Sequence, residues 1–251
     1  MSESQAVSKA DSETVLVSEQ LSQSYGSVSV LSEVSVTIDS GSLTAVVGPN
    51  GSGKTTLLKT LAGLLSPAEG AVQYLGPDAE REIGYLPQRP SFRPQFSTLE
   101  TLEFYTALVD DDPEELLSRV GLRDAADRRV EALSGGMTRL LGLAQATVGN
   151  PPVVVLDEPG SGLDPTMRKR TFEVAHELAN DGTAVICSSH DLALVEQWAD
   201  HVIVLDGGSV VDTGSPAELC RAHGAESLWE VFDVTIEKPD DQVAVLGVDD
   251  E

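Results

Sequence analysis

Eight consecutive residues, Gly48–Pro49–Asn50–Gly51–Ser52–Gly53–Lys54–Thr55, constrain this chain more than any other segment. They match G-x-x-x-x-G-K-[ST] and stand between an unbroken apolar run, Leu43 to Val47, and a helix-like stretch, TTLLKTLAGLL. Strand, glycine-rich turn and helix form the unit in which successive backbone N–H groups curl around a phosphate. A side chain at Gly51 or Gly53 would obstruct that cradle, and the helix that follows points its positive N-terminus at the same anion. Lys54 then reaches the outer phosphates as a point charge, and the Thr55 hydroxyl, with Thr56 beside it, is placed to ligate Mg2+. The plain alternative is a glycine-rich turn carrying a solvated lysine.

A second apolar run, VVVLDEP from Val153 to Pro159, ends in two carboxylates. It reads as a buried parallel strand. At its end Asp157 would hold Mg2+ directly or through water, and Glu158 would polarise an attacking water as general base. Apolar strands often end in an acid, so this segment gains its meaning only from the phosphate loop upstream.

The pattern along the rest of the chain is strands alternating with helices. From Val15 to Ile38 apolar and polar residues alternate in short runs, the period of half-buried antiparallel strands. Residues 70–86 return to strands. Between about residues 88 and 150 the pattern turns helical: Thr98 is read as the cap of LETLEFYTALV, Pro113 suits the first turn of EELLSRVGL, and Ser134 caps a helix running to Val148. Then come VVVLD, a helix from Pro165 to Asn180, TAVICS, a helix from Leu192 to Ala199, and VIVLDGGSVVDTG with a Gly207–Gly208 hairpin. The fold class expected is α/β: a phosphate-loop core with a mostly parallel sheet, an antiparallel β edge region and an inserted helical lobe. The domain is expected to span residues 14–238, with a loosely ordered Ser-rich segment at 1–13 and an acidic tail at 239–251.

Composition narrows the partners. The chain has 251 residues, 41% of them hydrophobic, enough for a sizeable core, and a formal net charge of −25. Without the first 13 residues (three acids, Lys9) and the last 13 (five acids), −18 still remains on the body. Such a molecule has no broad positive field for phosphate backbones, so nucleic-acid binding is not expected. Charge of this size opposes a compact fold unless salt screens it, and arginines outnumber lysines, which suggests adaptation to a salty cytoplasm. Two cysteines, Cys187 and Cys220, are read as inert thiols. No stretch approaches the ~18 apolar residues of a membrane span, and the start of the sequence lacks the basic and apolar regions of a signal peptide.

Leu133–Ser134–Gly135–Gly136, lying between the phosphate loop and Asp157, gives the arrangement a family likeness. Over about residues 14–235 the chain resembles the nucleotide-binding domain of ATP-binding cassette (ABC) transporters. The resemblance implies that Tyr25 stacks on the adenine of ATP, that Gln88 touches Mg2+ or the water, and that Ser161 to Asp164 form the D-loop. It also implies that His190 in SSHDL contacts the γ-phosphate as the switch histidine. Ser134, Gly135 and Gly136 would bind the γ-phosphate held by a second nucleotide-binding subunit, so that two subunits stack head to tail around two ATP. Taken by themselves these three residues are an ordinary serine-capped helix start. Two positions depart from the family: Met137 stands where Gln is commonest, and Gly160 where Thr is frequent.

The ending ESLWEVFDVTIE and the run SGGM–RLLGLAQA are similar to those of exporter-type ATPases, including the drug-export and copper-enzyme-maturation subgroup. A short amphipathic helix packed on the core would show the same spacing. The resemblance implies an ATP-hydrolysing subunit at the cytoplasmic face of the membrane, driving a separate polytopic permease. Residues Gln88 to Phe96, with two arginines (Arg89, Arg93) and two phenylalanines (Phe92, Phe96), are the expected docking groove. The alternative is a soluble regulatory ABC ATPase uncoupled from transport.

Overall fold

A computed structural model describes residues 13–109 and 111–236. The expected N-terminal segment, Glu13 excepted, and the acidic tail lie outside the described residues. The alternating pattern near the start folds as a hairpin of β1 (Thr14–Tyr25) and β2 (Val28–Asp39), with β4 (Glu69–Tyr74) paired to the other side of β1. These strands form a sheet of their own, in the order β2-β1-β4. Its apolar face, with Leu16, Leu21, Leu31, Val34 and Ile38 fully buried, needs a second layer to cover it.

That layer is α1 (Lys54–Leu61), whose Leu57, Leu58 and Leu61 share one core with this sheet and with one face of a larger sheet. The larger sheet has six strands in the order β5-β6-β7-β3-β8-β9. Of these, β3 (Leu43–Val47), β5 (Ile83–Leu86), β6 (Val153–Leu156), β7 (Ala184–Ser188) and β8 (His201–Asp206) run parallel. β9 (Ser209–Gly214) returns antiparallel through Gly207 and Gly208, both at positive φ, as a two-residue hairpin turn demands. β3, β6 and β7 are buried along their whole length, which is why they read as apolar runs rather than alternations.

The opposite face is covered by α4 (Gly135–Thr147), α5 (Pro165–Asn180) and α6 (Leu192–Trp198). α2 (Thr98–Thr106), α3 (Pro113–Arg119) and α4 make up the helical region between β5 and β6. One cap differs from the sequence expectation. Ser97, not Thr98, is the N-cap of α2, because Ser97 Oγ accepts from Glu100 N while the Glu100 carboxylate accepts from Ser97 N. Thr98 is the first helical residue, and its hydroxyl donates instead to the Arg128 carbonyl. α7 (Pro216–His223) has no counterpart in the sequence expectations, although a Ser215–Glu218 capping box marks its start. α8 (Leu228–Thr235) is the short amphipathic helix of the ending, with Leu228 and Val231 buried.

Register places the chemistry. Val46 lies opposite Ser188, Cys187 opposite Leu156, and Leu156 opposite Leu86. The carboxyl ends of β5, β6, β7 and β3 are therefore level, and the chain leaves all four at one edge of the sheet. In open parallel sheets this is the edge where ligands bind.

Candidate active site

The loop from Gly48 to Gly53 leaves β3 with little room to spare. A Cβ on Gly48 would lie 2.1 Å from the Leu205 carbonyl, and one on Gly53 would lie 2.6 Å from the Val30 carbonyl. Gly51 and Gly53 both have positive φ, at 84° and 101°, a region that glycine enters without strain. Gly51 differs from Gly53 in what surrounds it: a Cβ there would meet no protein atom within 4 Å. A side chain at Gly51 would enter the open cradle rather than the protein. Val30 and Leu31 also bring the β1–β2 hairpin against the loop, and Tyr25 stands at the turn of that hairpin, half exposed. Its ring offers a face for stacking on a flat partner.

Lys54 is buried, and its Nζ donates to the carbonyls of Gly48 (2.8 Å) and Pro49 (2.9 Å), spanning the loop it follows. Burial holds its pKa below the ordinary lysine value, with Glu158 and Asp157 acting the other way. Ser52 Oγ is buried inside the loop without a hydrogen-bond partner, a polar atom facing a site suited to an anion.

Asp157, at the end of β6, joins three segments. Its Oδ1 accepts from Thr55 Oγ1 (3.0 Å) and from Ser188 Oγ (2.9 Å), and its Oδ2 from Tyr85 (3.5 Å). Thr55 and Asp157 thus present two hard oxygen donors side by side, a set that fits Mg2+, which takes few protein ligands and completes its shell with phosphate and water. Ser188 also accepts from Glu158 N (2.8 Å), which fixes the backbone at the next residue.

Glu158 has φ of +51°, a strained position for a residue with a side chain. The turn aims its carboxylate at His190, with Oε1 2.6 Å from Nε2. Burial raises the Glu158 pKa above the ordinary carboxylate value; Asp157 adds to this, while His190, Lys54 and Arg139 oppose it.

A cavity of about 820 Å³ opens over this edge, walled by residues 48–50, Glu158, Gly160 to Gly162 and Ser189 to Ala193, with Trp229 and Phe232 of α8 closing one side. Ser134, Gly135 and Gly136 are not among its walls. Ser134 lies at the surface and Gly135 is exposed at the start of α4, where Ser134 Oγ accepts from Met137 N (3.2 Å), so they form the outward-facing capped helix start expected of them. Met137 is packed against the core and its sulfur accepts from Arg128. Asp164 is the N-cap of α5, its carboxylate accepting from Thr166 N and Met167 N.

Three residues that sequence reasoning passed over hold the site together. Ser188 ties Asp157 to Glu158, as described. Arg139, buried on α4, donates to the carbonyls of Pro87, Gln88 and Ser161, joining the Gln88 loop to the D-loop segment. Arg168 on α5 pairs with Asp191. A buried arginine inside the otherwise apolar run RLLGLAQA was the one available signal.

Residues 31–161 match the family described as ABC transporter. This chain belongs to that family. It is an ABC ATPase, and the sequence resemblance and the fold agree. It is 40% identical over 210 residues, 80% of this chain and 71% of the relative, to the ABC transporter ATP-binding protein YxlF of Bacillus subtilis. It is 31% identical over 237 residues, 89% of this chain and 78% of the relative, to the Nod factor export ATP-binding protein I of Cupriavidus metallidurans. Among solved structures, an ATP-binding subunit of an ABC transporter superposes with a TM-score of 0.78 at 28% identity, covering 88% of this chain and 99% of the other. A cassette dimer in a post-hydrolysis state bound to ADP and Pi shares the fold, with a TM-score of 0.71 at 24% identity, over 80% of this chain and 98% of that one.

The raised Glu158 pKa of this ABC ATPase has a consequence for stability. Between the ordinary glutamate value and the raised folded value, the folded state binds the proton more tightly than the unfolded chain, so stability falls as pH rises through that window. The amide of a Glu158→Gln variant never ionises and escapes that loss. The melting temperature of the variant minus that of the wild type is expected to grow as pH is raised from about 4.3 towards neutrality. Calorimetry at constant salt checks this, and a difference independent of pH would contradict it.

Proposed function

We propose that this protein is the ATP-hydrolysing subunit of an export system, pairing head to tail with a second nucleotide-binding subunit and driving a separate membrane permease. The observation that carries this reading is the convergence, at one level sheet edge, of Lys54, Thr55, Asp157, Glu158 and His190, with Glu158 and His190 2.6 Å apart. Mg2+, when bound, would neutralise charge on the β- and γ-phosphates and order them.

The chain's own residues do the rest. Gly48 to Gly53 offer backbone N–H groups to the β-phosphate, and the start of α1 adds its positive end. Lys54 exchanges its two carbonyl partners for phosphate oxygens. Thr55 and Asp157 are the metal-side donors, with Gln88 contributing from the end of β5. Glu158 takes a proton from the attacking water; burial raises its basicity towards that task. His190 orders Glu158 and faces the γ-phosphate. Tyr25 stacks on the adenine. Ser134 and Gly135, exposed outside the cavity, and the half-buried Gly136 await a nucleotide on the other subunit, as does Asp164 in the D-loop. The dimeric ADP- and Pi-bound cassette of the same fold supports this pairing.

None of the helices among the described residues is long and apolar enough to cross a membrane, which is compatible with a separate permease. One further observation supports transport. A groove of about 390 Å³ lies between residues 91–96 and α2, with the Arg93 guanidinium over the rings of Phe96 (5.0 Å) and Phe104 (5.1 Å). Phe104 and Tyr105 join the expected docking residues Phe92, Arg93 and Phe96, an aromatic and arginine composition suited to an interface. The likeness to a Nod factor export ATP-binding protein supports export as the direction.

Tagged protein carrying Glu158→Gln, purified from membranes with ATP, Mg2+ and high salt, is expected to bring down a polytopic membrane protein. Recovery of the soluble subunit alone, or with ribosomal or repair proteins, would overturn the transport reading in favour of a regulatory ATPase. The acidic surface yields a separate expectation. If the −25 charge reflects a salty cytoplasm, the melting temperature falls steadily as KCl is lowered from molar to millimolar. A melting temperature unmoved by salt would refute that adaptation.

A further inference from the structure

Gly160 stands where relatives in this family often carry threonine, and the structure supplies a reason in another residue. A Cβ on Gly160 would lie 2.8 Å from Cγ of Arg168 and 3.5 Å from its Cδ. The crowded atoms belong to the stem of the arginine, not its flexible end, so a side chain at 160 would push Arg168 off its observed course. Beyond Gly160 the guanidinium forks. Nη1 donates to Asp191 Oδ2 at 2.8 Å, and Nη2 donates to the Leu163 carbonyl at 3.1 Å.

Asp191 follows His190 directly and is held on every side. Its Oδ1 accepts from Leu194 N as the cap of α6, its own N–H donates to Ser189 Oγ, and its Oδ2 takes the charge-assisted bond from Arg168. His190 therefore projects from a short segment that Arg168 ties to the 160–164 loop. Glu158 lies on the same loop, five residues before Leu163. The 2.6 Å contact between Glu158 and His190 thus closes a ring that passes through Leu163, Arg168 and Asp191.

We propose that Arg168 is a positioning residue for His190, tying it to the 160–164 loop, and that Gly160 is the residue that makes room for it. A planar fork with two fixed donors suits this task, because it references two loops to one rigid group. The regulatory consequence rests on the head-to-tail pairing proposed above: a partner that presses on residues 161–164 shifts Leu163, and Arg168 carries the shift to His190. Glu158 and His190 then come into register only when that loop is seated.

The test uses the full chain in four forms: wild type, Arg168→Gln, Gly160→Thr and the double variant. Steady-state ATPase assays are expected to show kcat lowered about tenfold or more in each single variant, the size of effect that small misplacement of a reacting group produces. KM for Mg-ATP should stay within about twofold of wild type, since the phosphate loop is untouched. The double variant should be no worse than the worse single one, because both remove the same link. The His190 ring cross-peak in a 1H–13C spectrum should move in both single variants while those of His201 and His223 stay. Should Arg168→Gln fail to fold, Asp191→Asn carries the same test, since asparagine keeps the helix-capping oxygen and loses the charge. A His190 cross-peak at its wild-type position, wild-type kcat, or effects that add as for independent sites would overturn the proposal. A wild-type chain without ATPase activity would instead count against the function proposed above, and the His190 spectrum would still decide the link.

Discussion

The carboxylate of Asp157 is the point on which the rest of the site depends. It is almost wholly buried, and a buried charge is tolerated only when its oxygens are hydrogen-bonded. Its partners are Thr55 at the start of α1, Ser188 at the end of β7 and Tyr85 in β5, so one group at the end of β6 draws together the ends of its neighbouring strands and the phosphate loop. Ser188 then fixes the backbone of Glu158, and the left-handed turn there aims the carboxylate at His190. The strain at Glu158 persists because the hydrogen bonds on either side over-determine it.

Much of this was legible in the sequence, for reasons that differ between residues. The phosphate loop is legible because its requirement is local: bare backbone on positive φ demands glycine at fixed offsets, and the strand and helix must flank it. Asp157 and Glu158 are legible because a fully buried strand writes itself as an apolar run, so its polar end stands out. The helix over Pro165–Asn180 is marked at its start by Asp164 and Pro165. Thr98 misleads because serine and threonine both cap helices and stand side by side here, and the reach of Glu100 back to Ser97 decides between them. Arg139 shows in the sequence only as a charge beside an apolar run, and Arg168 as one of several exposed-looking bases, so what they join could not be read. Their partners are carbonyls and a carboxylate on other loops, up to 52 residues away, and nothing in the pattern of either helix announces them. The strand order β5-β6-β7-β3-β8-β9 was equally hidden, since periodicity gives each strand's burial and not its neighbour.

The two departures from the family pattern find physical settings. Met137 gives up a polar side chain at the head of α4 but packs against the core and offers its sulfur to Arg128, leaving Ser134 and Gly135 at the surface. Gly160 gives up a hydroxyl beside Glu158 and gains passage for Arg168. The first leaves the capped helix start at the surface intact, and the second leaves the Arg168 stem its course.

On the proposed function, two copies, or this chain and a relative, close around ATP through surfaces that face outward in the single subunit. Light scattering on the Glu158→Gln protein at high salt, with and without Mg-ATP, tests this closure. The expected result is a monomer without nucleotide and a dimer of twice the mass with it, the dimer lost when Ser134→Arg is added. A protein that binds ATP and keeps the mass of a monomer would contradict it.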